Sequence, residues 1–68
     1  MTLADVNREY ESIMRADISP YDRSYRLAKL MTLMEREFRI PALQDAAWEA
    51  QNRAVIAMYR KISMSREI

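Results

Sequence analysis

Apolar positions in the first sixteen residues recur at helical spacing. Leu3, Val6, Tyr10 and Ile13 are separated by three, four and three residues, with Met14 beside them and Arg8, Ser12 and Arg15 opposite. At about 100° per residue this makes one apolar stripe and one wet face, which predicts an amphipathic helix from Thr2 to about Ala16. Thr2 offers a capping hydroxyl, and Asp5 lies near the positive end of the helix dipole. A second helix opens at "SPYD", where Ser19 is the cap, Pro20 fits the first turn and Asp22 reaches back. It is expected to run to Phe38 or Arg39, because Ile40 precedes Pro41 and is pushed out of helical geometry.

The second helix does not carry a single stripe. Leu27, Met31, Met34 and Phe38 cluster within about 60° on a helical wheel. Leu30 sits on one shoulder, and Ala28 and Tyr21 on the other. Tyr25 and Leu33 fall outside, on an arc shared with Asp22, Arg26, Lys29 and Arg36. Either this helix is central and packed on two sides, or it buries a second face against another chain. Tyr25, Lys29, Leu33 and Arg36 are therefore the candidate partner-binding residues.

The third segment has two readings. Pro41 opens one continuous helix, or it opens a short turn through Gln44, with Asp45 capping a helix from Ala46 to about Ile62. Trp48, Val55 and Ile62 repeat every seven residues, with Met58 and Tyr59 alongside, and Ala46, Ala50, Ala54 and Ala57 line an adjacent face. Turns are expected around Asp17–Ser19 and Ile40–Asp45. The chain has no glycine and only two prolines, which disfavours tight hairpins and supports an all-α protein. The expected architecture is a single helical domain, residues 1–68, folded as a small three-helix bundle. The alternative is a helical hairpin of the second and third helices, paired with a second copy and leaving the N-terminal helix as a flap. The expected core is Val6, Tyr10, Ile13, Leu27, Met31, Met34, Phe38, Trp48, Val55, Tyr59 and Ile62. Truncating Phe38 or Trp48 to alanine is expected to cost about 3–5 kcal/mol.

Composition changes this picture in two ways. Half of the residues are hydrophobic, enough for an ordered fold. A core built from 68 residues nets only about 3–5 kcal/mol without a staple, however, and there is no cysteine for a disulfide. Histidine is absent as well, which removes imidazole along with thiolate from the metal ligands. Self-association or a larger partner is the support that remains, and a homodimer is expected.

The same absences argue against catalysis. The commonest general base and the most reactive nucleophile are both missing, and no glycine-rich loop exists to cradle a phosphate. Asp5 with Glu9, and Asp45 with Glu49, share helix faces as a pair of hard-cation ligands would. Acids in the first turns of helices are more simply explained by the helix dipole. No enzyme activity, cofactor or metal is expected.

The formal charge of +1, with nine arginines against two lysines, is too small for a strongly basic nucleic-acid binder. Glu11 and Arg15, Asp22 and Arg26, Glu35 and Arg39, and Glu49 and Arg53 each place an acid four residues before an arginine, the favourable helical order. Arg23, Lys29, Arg36 and Arg66 lack such a partner. No export signal or membrane-length apolar run is visible, so the cytoplasm is the expected compartment. The mixed charge of the polar faces speaks against an interfacial membrane helix. The function that fits is a small non-catalytic interaction protein: a regulator, inhibitor or adaptor acting through protein contacts or dimerisation. The alternative is a nucleic-acid-associated helical dimer using arginines of the second and third helices, with Tyr25 stacking on a base.

Overall fold

The computed structural model describes residues 1–66. Within them the chain is all-helical, with four helices and no strand: α1 (Leu3–Arg15), α2 (Pro20–Glu37), α3 (Ala46–Gln51) and α4 (Arg53–Met64). The expected third helix begins at Ala46 and not at Pro41. It is interrupted at Asn52, so the expectation of three helical segments is corrected to four.

Each boundary has a local cause. Thr2 caps α1 in a reciprocal box, its hydroxyl accepting the Asp5 N–H while the Asp5 carboxylate accepts the Thr2 N–H. Ser19 accepts the Asp22 N–H at 3.1 Å, with Pro20 opening α2. Asp45 accepts the Trp48 N–H at 3.0 Å and starts α3. At Asn52 the backbone leaves helical geometry (φ −132°, ψ 46°). The Asn52 side chain donates to the Trp48 carbonyl at 2.8 Å, so the amide competes with the helical ladder that it interrupts.

The end of α2 is made without glycine. Arg39 adopts φ 55°, and the Ile40 N–H returns to the Glu35 carbonyl at 3.1 Å. This is the long bond of a Schellman turn. Ile40 then folds its side chain against the core, and Pro41 follows. The left-handed position costs an L-residue about 1–2 kcal/mol.

The buried core contains Val6, Tyr10 and Ile13 from α1, Leu27, Leu30, Met31 and Met34 from α2, and Ile62 from α4. Leu27, Met34, Ile62 and Val6 are fully enclosed. Because α1 supplies three of these side chains, it packs into the core and is no flap. Phe38, Val55 and Tyr59 are half-buried and pack on the rim of the core, while Leu30, expected only on a shoulder, is buried. Trp48 is the clearest correction. The break at Asn52 leaves α3 against α4 alone among the helices, and Trp48 lies half-buried outside the core.

α2 is packed on two sides. Towards α1, Leu30, Leu33, Arg26 and Lys29 share a groove with Ile13, Glu9 and Asp5. Arg23 reaches back on that side to the Ala16 carbonyl at 2.8 Å, satisfying the end of α1. Towards α4, the Tyr59 hydroxyl donates to the Glu35 carboxylate, and the Arg66 guanidinium lies 3.9 Å from the Met31 sulfur. α1 and α4 meet where Tyr10 and Ser65 share a hydrogen bond of 2.7 Å.

Two outcomes test this account. Leu27→Ala or Met34→Ala should each cost about 2–5 kcal/mol, enough to unfold much of the population, whereas Trp48→Ala leaves most of the chain folded. Denaturant titration followed by far-UV circular dichroism measures all three, and a Trp48→Ala variant as unstable as Leu27→Ala contradicts the placement of α3. Arg39→Gly should stabilise the chain by about 0.5–1 kcal/mol, since glycine takes the left-handed position without strain but loses more entropy on folding. An unchanged or lower midpoint would show that the arginine side chain compensates for its backbone.

Candidate interaction surface

With α1 on one flank of α2 and α4 on the other, the remaining arc of the helix faces solvent. Tyr25, Lys29, Leu33 and Arg36 line one shallow depression there, together with Ala28 and Thr32. Its walls come from α2 alone. They are two neighbouring rows of side chains at four-residue spacing, Tyr25–Lys29–Leu33 and Ala28–Thr32–Arg36. A channel between such rows is the shape into which a ridge of another helix fits.

The four candidate residues differ in environment. Tyr25 is 59% exposed, large for an aromatic ring with no packing role. The Lys29 ammonium lies 5.6 Å from the centre of that ring, an exposed cation–π contact. Leu33 is half-buried because it also closes the α1–α2 groove. Its position off the main stripe is thus accounted for within the chain, while that of Tyr25 is not. Arg36 is exposed and has no ion-pair partner among the described residues; the same holds for Arg26, Arg39 and Arg53.

Sequence reasoning missed three contributors. Tyr21 is 68% exposed, one turn before Tyr25, and lines a second depression with Tyr25, Ala28 and Arg66 on the α4 side. Ala28 and Thr32 form the low row of the first. The four-residue repeat from Tyr21 to Leu33 was the available signal. Leu43, 83% exposed beside Trp48, Pro41 and Ile56, is a separate apolar patch on the connection before α3.

Three of the four acids of the candidate cation pairs, Asp5, Asp45 and Glu49, have structural employment. The Asp5 carboxyl is held below its usual range, first by the Thr2 backbone N–H and then by the Thr2 hydroxyl. Asp45 caps α3, and Glu49 pairs with Arg60 at 2.6 Å across the Asn52 break. Among the described residues, no three acidic side chains are grouped to hold a metal ion, and no helix is long and apolar enough to cross a membrane. Comparison with protein-family models, curated proteins and solved structures finds no match.

One contact gives a pH dependence. Burial, followed by the hydrogen bond to Glu35 and its charge, pushes the Tyr59 hydroxyl up to about 12 from its ordinary 10.0. A raised folded-state value means that this contribution is complete below about pH 10 and is lost as pH rises towards about 12. Thermal melts in alkaline buffers should therefore show a steeper decline for the parent than for Tyr59→Phe. Parallel declines would mean that the hydroxyl does not couple α2 to α4.

Proposed function

We propose that the chain is a small non-catalytic interaction protein, a regulator, inhibitor or adaptor, in which α1, α2 and α4 form a three-helix core that displays the outer face of α2. One observation carries the reading. α2 is already packed on two flanks, yet its third side holds a largely exposed tyrosine beside the channel of Ala28, Thr32 and Leu33, rimmed by Lys29 and Arg36, neither of which has an ion-pair partner among the described residues. Burying such side chains contributes about 1.5–3 kcal/mol each before the costs of association. Chemistry of the catalytic kind has no support in the residue set, which lacks histidine, cysteine and glycine.

A nucleic-acid partner is the second reading, favoured by Arg26 next to Tyr25 in sequence and Arg36 in the same depression, neither with an ion-pair partner among the described residues. The two differ in salt response. Phosphate contacts release counterions and give a steep dependence on salt, whereas an apolar protein contact does not.

The test is affinity capture from a nuclease-treated native extract with the parent, Tyr25→Glu and Leu33→Glu as baits, read by mass spectrometry. Proteins retained by the parent and lost by both variants support the reading, provided that both variants keep the parent's helical signal. Identical capture by all three removes α2 as the contact surface. Partners captured from an untreated extract but lost from the nuclease-treated one move the function to nucleic acid.

A further inference from the structure

We infer that the occupant of the outer face of α2 is a second copy of this chain, seated antiparallel with Lys29 on the two-fold axis; this rests on the interaction reading above. Asp22, Tyr25, Lys29, Leu33 and Arg36 are spaced three, four, four and three residues apart. The spacing reads the same in both directions from Lys29. At about 100° per residue all five fall within about 40° of Lys29 around the helix. When two such helices are related by a two-fold axis at residue 29, position 22 of one faces position 36 of the other, and position 25 faces position 33.

The chemistry of the facing positions is complementary. The Asp22 carboxylate has no partner among the described residues, and neither has the Arg36 guanidinium. The pairing joins them twice, about 10 Å to either side of the axis, with charge-assisted hydrogen bonds. The exposed Tyr25 ring covers the Leu33 side chain of the second copy, again twice.

Asp22 also separates this occupant from a foreign acidic helix. A face made for an acidic partner would gain nothing from a carboxylate in its contact row, whereas the two-fold arrangement gives that carboxylate an arginine. The cost falls on the axis, where two Lys29 ammonium groups oppose each other. Lys29 already leans over its own Tyr25 ring, 5.6 Å from the centroid, which draws its charge off the axis. One helix face offers less area than a standard protein interface, so the association is weak and concentration-dependent.

The absence of native cysteine makes the register testable. Lys29→Cys introduces a lone thiol at the axis, where facing helices bring the two backbones within disulfide reach. Under mild oxidation it should cross-link efficiently at high concentration, while Arg53→Cys on α4 should not. Sedimentation equilibrium up to about 1 mM should show a self-associating parent. Lys29→Met should tighten the dimer at least about threefold by removing the axial repulsion. Asp22→Arg and Arg36→Asp should each weaken it at least about tenfold, and the double swap should return it to within about threefold of the parent. Far-UV circular dichroism confirms that each variant is folded, and the cross-link stands independently of the swaps. A parent that is monomeric at about 1 mM overturns the inference. So does a dimer with no cross-link at position 29 and no rescue by the double swap. If the parent is monomeric while Tyr25→Glu and Leu33→Glu still abolish capture of another protein, only the second copy is removed. If the variants keep every partner as well, the surface itself was wrong.

Discussion

The fold rests on one constraint: Leu27 and Met34 must be dry, and no single neighbour can enclose them. They stand seven residues apart on the same line of α2, both fully buried. α1 closes over them from the Leu30 side with Val6, Tyr10 and Ile13, and α4 closes from the Met31 side with Ile62. Two helices on two flanks leave the third side of α2 outward. The same geometry that protects Leu27 and Met34 therefore exposes Tyr25, which lies almost opposite them on the helix. Core and candidate surface are two consequences of one packing decision.

The charges follow the local pattern only in part: Asp5 pairs with Arg8 and Glu11 with Arg15 within α1, while other acids turn to partners further along the chain. Of the four acid–arginine pairs at helical spacing, Glu11 with Arg15 forms, at 2.8 Å. Glu35 accepts from Tyr59 instead, and Glu49 takes Arg60. Local pairs contribute only about 0.2–0.5 kcal/mol each, too little to hold a side chain against a partner from another helix. Arg23, with no acidic partner in the local pattern, is employed on the terminal carbonyls of α1. What remains unpaired among the described cations includes Arg26 and Arg36, both on the outer half of α2.

Much of this was legible in the residues, for identifiable reasons. Caps are short-range chemistry, so Thr2 and Ser19 with Pro20 marked two helix starts within a few residues of context. Asp45 stood as one of two open starts against Pro41 until the structure placed it as the cap of α3. The α1 stripe and the Leu27–Met34 line were also clear, because a buried helix face repeats at its own period. The split at Asn52 was not. One asparagine inside a strong heptad pattern weighs little locally, and only the competition of its side chain for the Trp48 carbonyl reveals the break. Trp48 was misplaced for the same reason, since its seven-residue relation to Val55 assumes a continuous helix. The left-handed Arg39 was equally hidden, as nothing but a backbone angle distinguishes it from a helical arginine. On the candidate surface the sequence located the arc but not its two neighbours. That Leu33 is half-covered by α1 and Tyr25 is not depends on where α1 lies, which no periodicity within α2 can state.

The position of this surface also bears on how contact and stability relate. In an obligate dimer the interface is the core cut in half, and the isolated chain does not persist. Here the side chains that hold the monomer together, Leu27, Met34, Val6 and Ile62, are enclosed without help from another chain. A contact along Tyr25, Lys29 and Leu33 would add to that enclosure from outside and replace none of it. The folded chain would then exist before it binds, and binding would stabilise it by mass action, rising with the logarithm of the free partner concentration once that exceeds Kd. For a core that nets only a few kcal/mol, about 2 kcal/mol from such linkage is a large fraction of the whole. A face that leaves the core intact while raising the stability of the bound form is suited to reversible association.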